Sequence, residues 1–131
     1  MTQQPKELLR SRQFAESMSM PIFLVDPIGN LFFYNEAAEE ILGVRFIEAG
    51  PMPVDVWSTI FVPTNYIGKQ LKPDALPLVQ TLTFQRPAHG SFYIVNKIGQ
   101  KFLITVTSFP IVSKSEKMLG AMAMFWKSKA E

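Results

Sequence analysis

Cysteine is absent from this chain of 131 residues, and histidine occurs only once, as His89. The lack of cysteine excludes disulfides, thiol nucleophiles, iron–sulfur clusters and cysteine-bound zinc. A single histidine excludes a metal site built from several imidazoles, and no serine stands in a recognisable nucleophile turn beside it. We therefore predict no metal site, and we interpret His89 as a turn or edge residue just before a strand.

Charge is also scarce, since charged residues make up 18% of the chain and the formal net charge is +2. Such a charge is too small to predict a nucleic-acid partner, and no basic stretch is interleaved with aromatic residues. The acidic residues form no pair suited to acid–base catalysis, and there is no glycine-rich phosphate loop. We predict no catalytic residues and expect that the protein is not an enzyme.

Long hydrophobic runs are missing as well. The first twenty residues are polar and lack an apolar signal core, and no run approaches the roughly 20 apolar residues that a membrane span needs. We expect a cytoplasmic protein with no membrane partner. The length predicts one domain with a single core.

Residues 21–43 predict a β-hairpin that leads directly into a helix. Two apolar runs flank a reverse turn in which Asp26 bonds back to the following amides and Gly29 takes the left-handed position. Asn35 stands at the helix N-cap and Gly43 at its C-terminal end. We assign these four residues to turn and cap roles, and we expect Asn35→Ala to cost about 1 kcal/mol.

Residues 1–20 predict an amphipathic helix that Pro21 ends. Its apolar stripe could dock on its own domain or be shared with a second subunit, and both alternatives stay open. The residues chosen as dimer-interface candidates are Leu8, Leu9, Phe14 and Met18.

Residues 44–75 are rich in proline and in apolar side chains, so they must fold over something rather than form a solvated linker. We predict short helices over 55–61 and 75–82, with Asp55 and Asp74 as their caps. Because small-molecule sites are mostly apolar, we choose as pocket candidates Phe46, Trp57, Phe61 and Tyr66. The alternative is that these side chains simply fill the core.

The last third predicts three strands, over 91–96, 101–109 and 119–126, with Pro110 weakening the end of the second. Both faces of these strands are substantially apolar, so both need a cover. The short central helices should cover one face, and the N-terminal helix or a partner subunit the other.

The register of Val25, Asp26, Gly29, Asn35 and Gly43 resembles the opening of a PAS domain, the small sensory module of signalling proteins. Further stretches extend the resemblance over almost the whole chain: GKQL at 68–71, LPL at 76–78, PAHG at 87–90 and GAMAMF at 120–125. The resemblance implies an α+β fold with a five-stranded antiparallel sheet of order 2-1-5-4-3. Short helices would cover one face and wall a cavity. It divides the chain into a helical cap (1–20), a PAS domain (21–127) and a tail (128–131).

The resemblance also bears on cofactors. PAS domains that bind haem through histidine usually place it on the helix before the third strand, and the predicted helix 75–82 has none. The flavin-binding and yellow-protein subclasses both need a cysteine. Haem and flavin are therefore disfavoured, and no cofactor is evident.

We expect a bacterial sensory PAS module that binds a small apolar ligand or acts by homo- or hetero-association, with a homodimer through the N-terminal helix. The chain stops soon after Trp126, where the family commonly continues into a linker helix. We therefore expect either a fragment or a module acting on a signalling partner in trans.

Two alternatives remain open. One is a purely structural dimerisation domain with a filled core. The other is a small α+β cone isomerase or hydratase, in which Tyr34 or Tyr66 would work with Asp26 or Asp55.

Overall fold

The computed structural model describes residues 6–128, so the first five residues of the predicted helical cap and the last three of the predicted tail lie outside the described residues. The elements in chain order are α1 (Lys6–Glu16), β1 (Ile22–Val25), β2 (Leu31–Tyr34), α2 (Glu36–Leu42), α3 (Phe46–Ala49), α4 (Val54–Ile60), a 3₁₀ turn (Pro73–Ala75), α5 (Pro77–Phe84), β3 (Ala88–Val95), β4 (Lys101–Val112) and β5 (Met118–Lys127).

The strands form one five-stranded sheet of order β2-β1-β5-β4-β3, and each neighbouring pair is antiparallel. This confirms the predicted fold class. β4 continues through Pro110 to Val112, beyond its predicted end. Proline is tolerated there because the pairing with β3 reaches only to Ser108, so that beyond this residue β4 pairs with β5 alone. His89 lies inside the edge strand β3 and is exposed.

The turn between β1 and β2 is built as its residues predict. The Asp26 carboxylate accepts hydrogen bonds from the backbone N–H groups of Ile28 (3.1 Å) and Asn30 (2.9 Å). Gly29 has φ +95°, and a Cβ atom there would lie 3.1 Å from that of Val54 on α4. The glycine therefore serves both the left-handed turn position and the close approach of α4.

Asn35 joins three elements and does more than cap a helix. Its Oδ1 accepts hydrogen bonds from the N–H groups of Ala38 and Ile22, both at 3.0 Å. Its Nδ2 donates to the carbonyls of Ala15 and Met20, both at 2.9 Å. The end of α1, the start of β1 and the start of α2 are thereby held together, and we call this set of contacts the Asn35 junction.

The two faces of the sheet carry separate apolar clusters. On one, the inner face, side chains such as Phe23 and Phe125 pack under α4 and α5. On the other, the outer face, Leu24 and Met122 pack with Ala15 of α1. The N-terminal helix therefore covers part of the outer face of its own sheet. It is one of the two candidates for this role, the other being a partner subunit. α1 ends at Glu16, one turn before the predicted stop at Pro21.

Two predicted helix caps are wrong. α4 begins directly after Pro53, so Asp55 lies within its first turn. Asp74 lies in the 3₁₀ turn, and α5 begins at Pro77 without a side-chain cap. Proline suits a first helical position because its ring presets φ and the position needs no N–H donor.

Candidate functional site

A cavity of about 80 Å³ lies between the inner face of the sheet and the segment carrying α4 and α5. Its helical side includes Trp57, Ser58, Phe61, Leu76 and Leu78. The strand residues that line it are Phe23, Phe92, Ile94, Ile104, Val106, Ala123 and Phe125. These strand residues recur at every second position, which is why they share one face of the sheet.

Trp57 is the best-anchored side chain of the cavity wall. Its indole Nε1–H donates to the Gly29 carbonyl at 2.7 Å. Its ring meets Phe23 edge-on, with 5.6 Å between the centroids and 70° between the planes. The opening hairpin thus positions the cavity wall, because its turn supplies the hydrogen-bond acceptor that a buried indole requires.

Ser58 is the exception in this apolar wall. Its side chain is only 1% exposed, yet its Oγ has no hydrogen-bond partner. Within residues 6–128 no other buried side-chain nitrogen or oxygen atom lacks one. The hydroxyls of Ser108 and Thr81 are equally buried but bond to each other at 2.7 Å. A buried hydroxyl without a partner costs about 1–3 kcal/mol, so Ser58 needs an explanation.

The cavity carries no charge, since none of its lining residues is ionisable. Among the described residues, no group of three or more histidine and acidic side chains could hold a metal ion. The cavity can therefore offer apolar contact and one hydroxyl, and nothing else.

The backbone is strained beside the cavity. Val62 follows Phe61 and has φ +47°, in the left-handed region. A β-branched residue in that region is an outlier, because its Cβ substituents crowd the backbone. Pro63, the next residue, lines the cavity. The exit of α4 is thus held in an unfavourable conformation where it closes the cavity.

Of the four predicted pocket residues, the structure brings two together. Trp57 and Phe61 line the cavity. Phe46 instead packs edge-on against Tyr34 at a centroid distance of 5.2 Å, and Tyr66 is 87% exposed. The prediction that these two residues line the cavity is therefore wrong. Phe46 begins α3 over the end of β2, and Tyr66 lies in the tight turn that follows Asn65.

Sequence reasoning missed Ser58 as a site residue. Serine is common on helix surfaces, and only its neighbours in space make it special. A weak signal was available, because Ser58 directly follows the predicted pocket residue Trp57 in the predicted helix 55–61. The inward-facing strand residues could have been found from their alternation.

The four dimer-interface candidates have different environments. Leu8 is buried, and it would lie 3.2 Å from a Cβ atom at Gly120, so it packs on its own sheet. Met18 is half-buried against the outer cluster. Leu9 and Phe14 are 49% and 45% exposed. The last two are the ones that remain available to another molecule.

The tyrosine–aspartate pairs of the cone-enzyme alternative are not assembled. Among the described residues, no hydrogen bond joins Tyr34 or Tyr66 to Asp26 or Asp55. Burial, with smaller contributions from the charges of Glu39 and Glu48, raises the pKa of Tyr34 to about 12, and its hydroxyl donates to the Val44 carbonyl. A tyrosine held protonated in this way is a poor proton donor near neutral pH.

Comparison with known proteins identifies the class. A protein-family model described as PAS domain matches residues 9–75, about half of the chain. The chain therefore belongs to the PAS domain family. No curated protein sequence matches it significantly.

Solved structures show the same fold at low identity. The PAS domain of a Colwellia psychrerythraea protein superposes with a TM-score of 0.64 and 18% identity, covering 92% of this chain and 96% of that one. The PAS domain of the fruit-fly ELK potassium channel gives 0.73 and 10%, covering 94% and 98%. A Rhodobacter sphaeroides LOV protein gives 0.72 and 10%, covering 93% and 66%. Within residues 6–128, every helix is too short or too polar to cross a membrane.

Proposed function

We propose that this PAS domain is a bacterial sensory module of signal transduction that binds a small apolar ligand in the cavity between the sheet and α4. The observation that carries the proposal is the cavity itself, which has a volume of about 80 Å³ and walls formed mostly by side chains of the main core. Protein cores hold few voids larger than a water molecule, and one water needs only about 10–15 Å³ by this measure. A cavity several times larger in so small a domain is better suited to binding than to packing.

The residues present disfavour haem and flavin as that ligand. The sequence has no cysteine for a flavin adduct, and His89 lies exposed on the edge strand rather than in the cavity wall. The volume is also small for either group. The likeness to a LOV protein concerns the fold, and we do not extend its chemistry to this chain. The proposal includes no catalytic role, no nucleic-acid or membrane partner and a cytoplasmic location.

Native mass spectrometry of freshly purified protein, with solvent extraction of any bound molecule, tests ligand binding. We expect a co-purified molecule near one equivalent. Ala123→Leu should remove it, because the larger side chain fills the cavity. Ala75→Leu is the matched control, since Ala75 is exposed on the 3₁₀ turn. An empty wild-type protein that binds no added small molecule would overturn the proposal.

A second candidate function, association through α1, is favoured by the exposure of Leu9 and Phe14 on that helix. The homodimer, or a signalling partner in trans, would then contact the exposed side of the helical cap (1–20), while the PAS domain (21–127) holds the ligand. Light scattering should show a dimer at high micromolar concentration. Leu9→Ser with Phe14→Ser should give a monomer, and Gln13→Ser, an exposed polar position on the same helix, should not.

A dimer without any ligand would favour a purely structural dimerisation domain. A wild-type monomer at that concentration would contradict association of two copies through α1. The two measurements therefore separate sensing from association.

A further inference from the structure

The unpartnered hydroxyl in the cavity wall allows the class of ligand to be named, provided that the cavity binds a ligand as proposed. We infer that the cavity takes a neutral molecule no larger than a single ring, carrying one hydroxyl or carbonyl group that hydrogen-bonds to Ser58 Oγ.

The polarity of the ligand follows from Ser58. This side chain lines the cavity, is 1% exposed and has no partner for its Oγ. A serine hydroxyl both donates and accepts, so a ligand hydroxyl or carbonyl would satisfy it. The other polar side-chain atom in the wall, Trp57 Nε1, is already bonded to the Gly29 carbonyl, so any further polar group on the ligand would itself be buried without a partner.

The charge of the ligand follows from the same wall. None of the residues that line the cavity is ionisable. Burying a carboxylate or an ammonium group without a counter-charge is far more costly than burying a hydroxyl. Organic acids and amines are therefore excluded in their charged forms.

The size and shape of the ligand follow from the volume and the aromatic walls. About 80 Å³ is less than the roughly 150 Å³ of an engineered cavity in another protein that admits benzene. Trp57, Phe61 and Phe92 line the space with aromatic side chains, and aromatic pairs favour offset-stacked or edge-to-face contacts. A short-chain alcohol fits these limits, and a single small ring is the upper limit of size.

The test uses the full chain and four added compounds: phenol and 1-butanol as hydroxyl-bearing ligands, benzene as the apolar control and benzoate as the charged control. Binding is followed by NMR titration of the wild type, Ser58→Ala and Thr59→Ala. Thr59 is the matched control, because its exposed hydroxyl bonds to carbonyls of its own helix, at 3.0 Å from that of Asp55. Circular dichroism checks that each variant folds.

In the wild type and in Thr59→Ala, phenol or 1-butanol should bind at least about tenfold more tightly than benzene, the scale of one buried hydrogen bond, and benzoate should not bind. In Ser58→Ala the preference for the hydroxyl should disappear while benzene binds as before.

Equal binding of phenol and benzene in the wild type would overturn the inference, as would an unchanged preference in Ser58→Ala, the result expected if a water molecule satisfies the serine. Tightest binding of benzoate would overturn it too. Each of these results leaves ligand binding in the cavity intact.

If none of the four compounds binds, the inference fails, and the co-purified material decides the proposed function separately. A larger or charged co-purified molecule would preserve the sensory proposal, whereas an empty protein would overturn both.

Discussion

The Asn35 junction and the cavity wall both bury polar side chains where a helix meets the sheet, but they treat them in opposite ways. Asn35 is 2% exposed, and its amide oxygen and nitrogen bond to main-chain groups of Ile22, Ala38, Ala15 and Met20. Ser58 is as deeply buried and bonds to nothing. A buried hydrogen-bond network in which every group is paired rigidifies a fold. A buried polar group without a partner instead lowers the stability of the fold. The junction is therefore scaffold, and the cavity wall is where function should be sought.

The backbone repeats this contrast. The left-handed position that ends α2, the helix whose start Asn35 caps, is occupied by Gly43 with φ +76°, which a glycine adopts freely. The left-handed position beside the cavity is occupied by Val62. Strain of this kind persists where the surrounding structure imposes it, often at ligand sites.

The largest expected effect is at the junction. Asn35→Ala should lower the free energy of unfolding by about 3 kcal/mol, because it removes the cap, leaves the buried Ile22 N–H without its side-chain acceptor and takes the amide donor away from the Ala15 and Met20 carbonyls. This exceeds the roughly 1 kcal/mol that a cap alone is worth. Chemical denaturation measures the difference.

The control is Asn35→Asp, which keeps the capping oxygen but replaces the donor that faces those two carbonyls. It should be destabilised nearly as much as the alanine variant. A fully stable aspartate variant would show that Asn35 is only a helix cap.

The next largest effect is expected from replacing the two buried serines, Ser108 and Ser58, by alanine. The two changes in the free energy of unfolding should differ in sign. Ser108→Ala should cost about 2 kcal/mol, because it leaves the buried Thr81 hydroxyl without its partner. Ser58→Ala should leave the stability of the ligand-free protein unchanged or raise it by about 1 kcal/mol, because the hydroxyl removed has no partner to lose. Urea denaturation of both variants, after removal of any co-purified ligand, measures the pair. Equal losses in the two would remove the contrast between satisfied and unsatisfied hydroxyls.

A smaller effect is expected from relieving the strain at the exit of α4. Val62→Asn should raise the free energy of unfolding by about 0.5–1 kcal/mol, because asparagine tolerates the left-handed region better than a β-branched residue and the valine is 42% exposed. Val112→Asn, at an exposed position in β4, should bring no gain. If thermal melts place both variants at or below the wild type, Val62 is not a source of strain.

The last prediction concerns how the stability depends on pH through Tyr34, and this dependence appears only at alkaline pH. The pKa of Tyr34 is raised from its ordinary value to about 12 by burial and by two nearby glutamates. An unfolded tyrosine ionises near pH 10, so the stabilising contribution of the protonated side chain is complete below pH 10 and is lost as the pH rises towards 12. Tyr34→Phe should lose this part of the alkaline dependence. An identical stability profile in both proteins between pH 9 and 12 would contradict the shifted pKa.

Local contacts were readable from the chain, because the residues that make them are close in sequence. Asp26 bonds to amides two and four positions ahead, and Asn35 caps an amide three positions ahead, so turn and cap could be predicted from residue types. The alternation of Ile104 and Val106 likewise indicates a shared face of β4, because side chains two positions apart on a strand point the same way. The sheet order was implied by the resemblance to PAS domains, which rested on these local patterns and on the order of the elements, and the structure has that order.

Contacts between distant segments could not be read in this way. Trp57 in the cavity wall is held by the Gly29 carbonyl, 28 residues earlier in the chain, whereas Tyr66 is exposed. The second role of Asn35, its bond to Ala15, spans 20 positions. The missing partner of Ser58 is visible only once every neighbouring group is placed. The sequence by itself determined the fold and its local turns and caps. The tertiary structure decided which polar groups are satisfied and where the cavity lies, because both depend on packing between elements that the chain brings together only when it folds.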